Sequence, residues 1–292
     1  MQRLVIALTF VAALVLALVV RGGTVIVGIA VLFLVFVPLE KVFALRPQRV
    51  FRPHLLTDLT HLLVDNFLVT IGGIVLGVLF ALPLVWLRTF GIVAALPVTA
   101  ALVLGFAVAF LGNYVGHRLT HTVPFLWRFH SVHHSIEQMD WVASARLHPV
   151  DGAFTQACAI APLFALGYGG GTFADVAVFF TLLALFQHSN VRLRFPGVRW
   201  VINTPEWHHW HHSIDPEAHD KNFGLPVIDK LFGTAYLPKD RRPTGFGTHD
   251  PVPQDGWWRH LAYPFTDGAR ADAARPDAAR ADAPRPNAPS VV

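Results

Sequence analysis

The chain has 292 residues, of which 53% are apolar and only 14% charged, with a mean hydropathy of +0.47. That balance excludes an ordinary soluble domain and identifies an integral membrane protein. The formal net charge of +4 does not point to nucleic acid, because no nucleic-acid motif interleaves with the arginines; they are expected at cytoplasmic helix ends, against anionic lipid head groups.

An apolar run from Leu4 to Val20, broken by Arg21-Gly22-Gly23, is followed by a second from Thr24 to about Leu39. Each approaches the ~20 residues that cross a bilayer. Arg3 ahead of an apolar stretch resembles a secretory signal, but the stretch is long, a second follows at once and no clear cleavage site precedes Arg21, so an uncleaved anchor is expected. A third run spans about Leu62 to Leu87 and a fourth about Phe90 to Leu111, giving a four-helix anchor over residues 1–112. Two shorter runs, about Phe154 to Leu166 and Phe173 to Phe186, fit a re-entrant pair or a tilted hairpin. The expected fold is an all-α membrane bundle of about four transmembrane helices plus this shorter pair, with a histidine-rich cap over residues 113–245. Residues 246–292 read as an extension. From about Asp267 its Ala, Pro and alternating charges cannot bury a core, and disorder is expected there.

Lys41, Arg46, Arg49 and Arg52 follow the second run, whereas the opposite turns offer only Arg21 and Arg88. Positive residues are retained inside, so the N-terminus and, after an even number of crossings, the histidine-rich region should face the cytoplasm. Cys158 excludes an internal disulfide and reads as a small buried residue. Trp127, Trp141, Trp200, Trp207 and Trp210 read as an interfacial aromatic belt.

Eleven of the 16 histidines lie in the 96 residues from His117 to His212. They read His117-x-x-x-His121, His130-x-x-His133-His134 and His208-His209-x-His211-His212, with His148 and His188 between. On a helix, positions i, i+3 and i+4 share a face, so each cluster can aim two or three imidazoles at one point. Crowding imidazoles without a metal would leave buried polar groups short of partners. A structural zinc takes four ligands and a catalytic zinc three, whereas the three clusters offer eight imidazoles before His148, His188 and His209 are added. Two octahedral metals with open positions are the economical reading, and imidazole suits iron; ligand count alone does not name the ion, and zinc also binds such a set. His54, His61, His219, His249 and His260 stand apart and read as interfacial anchors.

Leu126-Trp127-Arg128-Phe129-His130-Ser131-Val132-His133-His134-Ser135, then Arg146-Leu147-His148-Pro149, Phe186-Gln187-His188-Ser189-Asn190, Pro205 through Ser213 and Asp220-Lys221-Asn222-Phe223-Gly224 resemble the fatty acid hydroxylase and sterol desaturase superfamily in residue type and order. The resemblance is strong over about Asn113 to Leu237 and looser over the preceding helices. It implies an O2-dependent enzyme with two iron ions that hydroxylates or desaturates an unactivated C–H bond of a lipid. It also implies His117 and His121, then His130, His133 and His134, then His208, His211 and His212 as metal ligands, with His188 a ninth and His148 a tenth.

His209 lies about 60° around the helix from His212, outside the arc of about 100° shared by His208, His211 and His212. With Asp220 and Asn222 it is a candidate catalytic residue, acting by orienting a ligand or bound oxygen. Asp220-Lys221-Asn222 also reads as a plain turn into Phe223-Gly224. Electrons should come from an external cytochrome or ferredoxin-type donor, because neither a Gly-x-Gly-x-x-Gly fingerprint nor a Cys-x-x-Cys-His haem site is present. Lipid should enter laterally from the bilayer. The alternative class, a metal-binding or transport protein without redox chemistry, predicts ionisable residues along a path through the helices, and the four long runs carry almost none. A metal-dependent hydrolase lacks its His-Glu-x-x-His signature.

Overall fold

A computed structural model describes residues 1–269, and the expected disorder of the C-terminal tail therefore falls, from residue 270 on, outside the described residues. Ten α-helices form the bundle and no strand longer than an isolated bridge occurs among the described residues. α1 (Gln2–Arg21) and α2 (Thr24–Val42) make a hairpin of two apolar helices, with 20 and 19 residues. α1 stops at Gly22, whose φ of 63° is open to glycine at no steric cost and whose N–H still reaches Leu18 O at 2.9 Å.

α3 (Leu55–Ala81) gives way to a 3₁₀ segment, Leu82–Phe90, and α4 (Val98–Thr122) begins after Pro97. The fourth helix therefore starts eight residues later than the apolar run (98 against 90) and ends well beyond it. Pro83 removes a backbone donor at the end of α3, and Pro97 suits the entry to a helix, so the prolines rather than hydropathy set these boundaries. The last two turns of α4 carry His117 and His121.

α5 (Pro124–His134) follows at once, then α6 (Pro149–Leu166) and α7 (Gly170–His188). The last two have 18 and 19 residues and are apolar enough to cross a membrane, making six such helices among the described residues. Both are longer than their apolar runs because Asp151 in the first turn of α6 and Gly170, Gly171 and Thr172 at the start of α7 fall outside those runs. The chain is a multi-pass membrane protein. α6 is gripped between α3 and α4. A Cβ on Gly112 of α4 would lie 2.2 Å from Cys158 O, and one on Gly77 of α3 would meet Ile160 at 2.6 Å. Small residues here replace side-chain interdigitation with backbone approach, the usual solution where lipid supplies no hydrophobic drive between helices.

The short helices α8 (Pro205–His211), α9 (Pro226–Leu231) and α10 (Trp257–Ala262) build the cap. Trp127, Trp141, Trp207 and Trp210 are buried in the structure's interior and do not form a belt; Trp207 and Trp210 are fully enclosed. Only Trp200 of the five is partly exposed, under the ammonium of Lys230. Hydropathy cannot tell a ring at the membrane surface from one packed beneath a polar cap.

His61 and His260 are likewise not interfacial anchors. They stack with ring centroids 5.1 Å apart, fully buried, and their Nε2 and Nδ1 atoms lie 2.8 Å apart. Asp65 accepts from both His61 and Trp257, which fastens α10 to α3. Arg52 and Arg146 pair with buried Asp58, and Arg52 pairs also with Asp140, so the segment after α5 is held to the start of α3.

Candidate metal centre

The C-terminal ends of α4 and α7 and the whole of α5 and α8 meet at one end of the bundle, and the helical periodicity of each cluster is what brings its histidines inward. Nine imidazoles gather in two adjoining groups. His117, His121, His130, His134 and His211 form one; His133, His188, His208 and His212 form the other, with the ligand nitrogens of each group within 4.8 Å of one another. The groups touch through His134 and His212, stacked at 4.4 Å. The eight clustered ligand candidates and His188 are thus all brought together.

The far nitrogens decide what the near ones can do. His117 Nδ1–H donates to Phe223 O at 2.6 Å, and His130 Nδ1–H to Asp151 Oδ2 at 2.8 Å. His133 Nδ1–H donates to Arg146 O at 2.9 Å, His188 to Ala184 O at 2.8 Å, and His211 to Lys221 O at 2.8 Å. Each ring so held has its proton on Nδ1 and a lone pair on Nε2. Yet the Nε2 atoms of His133 and His188 face each other at 3.1 Å, and those of His117 and His130 at 3.2 Å. Two acceptors cannot satisfy each other. A second proton is no remedy, since burial lowers His130 to about 3 and burial with neighbouring imidazoles holds His133 far below its ordinary value. A cation answers all these lone pairs at once. The spacings among His188, His208 and His212, 3.0–3.2 Å, are those of nitrogens sharing one metal at about 2.1 Å each. The donor set therefore fits a transition metal in each group.

Asp220, Lys221 and Phe223 supply three consecutive-segment acceptors to the first group: Asp220 Oδ1 lies 3.3 Å from His121 Nδ1, and the carbonyls of Lys221 and Phe223 take His211 and His117. Asp220 and Asn222 both have left-handed backbone, φ 53° and 61°, so this is a turn and a collar around these histidines at the same time. Asn222 itself touches no ligand. Its amide donates to Trp207 O and Tyr236 O and accepts from Tyr236 N–H, stapling the collar in place. Asp229 does the same from beneath, accepting the N–H groups of Phe223 and Gly224, each at 2.9 Å.

Two further candidates lie apart from these groups. His148 stays outside both groups. As the N-cap of α6 it accepts from Val150 N–H through Nδ1, and its Nε2 donates to Leu261 O. His209 points away as the helical arc requires: its Nε2 donates to Ser189 O at 3.0 Å, beside His188, and its ring packs on Phe246. Asp151 and Asp229 were not legible as site residues, because a single carboxylate at a helix start or in a short helix carries no spacing signal.

A cavity of about 300 Å³ runs from His117, His130, His133, His188 and His208 into the space between α3, α4, α6 and α7. Phe110, Ile160, Val176 and Phe180 line its apolar part, while Asn66, Asn113 and Gln156 add polar groups. Gln187, one residue before His188, places its amide nitrogen 3.4 Å from His208 Nε2. On the other side of the first group, a smaller recess is lined by His219, Asp220 and His249.

Residues 102–234 match the family model described as fatty acid hydroxylase. The chain is 33% identical to the ornithine lipid hydroxylase OlsE of Rhizobium tropici over 60% of its own length and 54% of that protein's. It is 27% identical to the alkylglycerol monooxygenase of Danio rerio over 72% of its length and 49% of the relative's, and 31% identical to the Homo sapiens protein of that name over 42% and 28%. The chain thus spans about half the length, or less, of these curated relatives. No solved structure matches it.

Proposed function

As a chain that belongs to the fatty acid hydroxylase and sterol desaturase superfamily, the protein is, we propose, a membrane-bound di-iron monooxygenase that hydroxylates an unactivated C–H bond of a lipid. The observation that carries this reading is the pairing of buried Nε2 acceptors, His133 with His188 and His117 with His130, each locked into that role by an acceptor at Nδ1. Nine neutral nitrogens with few carboxylates suit iron in two sites that keep open positions. The two iron ions, held by His117, His121, His130, His134 and His211 and by His133, His188, His208 and His212, would supply O2 reduction and attack on the C–H bond.

The overall reaction consumes O2, two electrons and two protons, places one oxygen in the lipid C–H bond and releases the other as water. An external donor of the cytochrome or ferredoxin type provides the electrons. Hydroxylation is preferred to desaturation because the relatives are named as a hydroxylase and as monooxygenases. The protein's part is placement. The apolar walls of the 300 Å³ cavity hold the lipid chain with one carbon near His188 and His208, and the amides of Asn66, Asn113 and Gln156 give a polar group on the lipid something to bond. Asp151, Asp220 and the carbonyls of Arg146, Lys221, Phe223 and Ala184 fix the ring tautomers. The basic turn after α2 lies at the histidine end of the bundle, which supports a cytoplasmic location for the centre.

The reading is tested by quantifying iron in the purified protein and by mass spectrometry of lipids from cells with the parent or His133→Ala chain. Two irons per chain and a lipid carrying one added oxygen, both lost in the variant, are expected. An iron-free preparation with unaltered lipids would overturn it, and loss of two hydrogens in place of an added oxygen would make the enzyme a desaturase.

A further inference from the structure

A second cavity, about 500 Å³, opens between α2, the first turns of α3 and the loop joining them, and shares no lining residue with the cavity at the metal centre. Its floor is apolar: Ile29, Phe33, Val37, Leu55, Leu59 and Trp141. Its mouth is basic, with Lys41, Arg46 and Arg49. The acids nearby are turned inward and engaged. Glu40 accepts the backbone N–H groups of Trp141 and Asn190, each at 2.9 Å, and Asp140 takes Arg52. Arg46 donates to Pro243 O at 2.9 Å and lies over the Phe246 ring. Lys41 and Arg49 are exposed, and Lys41 spends one donor on Gln48 O, leaving two of its three.

The wall does not depend on an occupant to stay open. Leu45 N–H donates to Asn190 O, Arg46 N–H to Asn190 Oδ1, and Asn190 Nδ2 returns a bond to Arg46 O at 2.8 Å. Arg192 N–H to Phe43 O and the Ala44–Val191 bridge extend this seam. α2 is long and apolar enough to cross a membrane, which would put its Phe33–Val37 stretch at hydrocarbon depth and Lys41, one turn on, at head-group depth.

We propose that this cavity binds one anionic phospholipid, its acyl chain on the apolar floor and its phosphate between Lys41 and Arg49. A soluble anion would leave the floor uncovered, and a zwitterionic lipid would carry no net charge to answer the two exposed cations. The seam at Asn190 adjoins Ser189 and His188, so the bound lipid braces the chain that delivers a ligand to the metal centre. The site itself does not rest on the assignment of iron or of a reaction.

The test uses the full chain in neutral detergent, stripped of lipid and titrated with phosphatidylglycerol or with phosphatidylcholine of the same acyl chains, bound lipid being counted by native mass spectrometry. One phosphatidylglycerol is expected to bind at least tenfold more tightly than phosphatidylcholine. Lys41→Gln with Arg49→Gln should erase about thirtyfold of that affinity while bound metal stays at the parent level. Val37→Trp, which fills the floor and keeps both charges, should lower retention of both lipids. Equal binding of the two lipids by the parent, a preference that survives the double substitution, or displacement by soluble glycerol phosphate would each overturn the proposal.

Discussion

Asp151 offers the sharpest test of how the metal centre is held. Its Oδ2 accepts the Nδ1–H of His130 at 2.8 Å, the ring whose Nε2 faces that of His117. Asp151→Leu keeps the size and removes the acceptor. A buried N–H then stands without a partner, at a cost of about 1–3 kcal/mol, and at about 1.4 kcal/mol per decade this is a loss of roughly 5- to 150-fold in affinity. That range overlaps the 10–100-fold usual when an orienting partner is removed from a ligating histidine. The loss should fall on one metal. His133 and His188 of the other group hang from Arg146 O and Ala184 O, which the substitution does not touch. Purified parent and variant are equilibrated against graded chelator and bound iron is measured. The variant should release one metal at about tenfold or more lower chelator concentration and the second close to the parent's. Asp151→Asn, whose amide oxygen still accepts, should recover most of the difference. Release of both metals together, or no change in either, would refute the argument that the two groups are held independently by their Nδ1 partners.

Asn222→Ala removes bonds to Trp207 O, Tyr236 O and Tyr236 N–H and leaves a left-handed residue without its side-chain support; a stability loss of about 3 kcal/mol is expected, with metal lost first from the group containing His117, His121 and His211. Thermal melts followed by metal counting check the order, and a variant as stable as the parent would contradict the stapling role. Gly112→Ala puts a methyl group 2.2 Å from Cys158 O, so α4 and α6 must separate; a loss of about 1–3 kcal/mol is expected in detergent melts, whereas Gly23→Ala, with open space around it, should be silent. His148→Ala should retain two metals and cost the cap on Val150 N–H and the bond to Leu261 O, together about 1–3 kcal/mol; loss of a metal would restore it as a ligand. Acid should destabilise the metal-free protein: burial lowers His130 and His209 to about 3, so between about pH 6.5 and 3 the unfolded chain binds more protons than the folded one. The melting temperature of chelator-treated protein should fall as pH drops through that window, and a rise on acidification would contradict the neutral, buried state of these rings.

The histidines of the candidate centre were legible because a helix repeats every 3.6 residues and a metal needs several identical donors at one point. His117 and His121, then His130, His133 and His134, then His208, His211 and His212 carry that repeat in the sequence, and the arc that admits these three also excludes His209. Apolar runs likewise placed the first two spans, since bilayer thickness sets helix length. The rest depends on contacts between residues far apart in the chain. Which five imidazoles join, and which four, follows from the meeting of α4, α5, α7 and α8, and no local spacing encodes it. Asp151 and Asp229 act through single hydrogen bonds to partners brought near by folding, and His148 is withdrawn from the site because its ring caps α6. Periodicity and hydropathy are properties of neighbouring residues and survive in one dimension; tautomer control, burial of the tryptophans and the shape of both cavities are properties of three-dimensional packing, and only the folded chain fixes them.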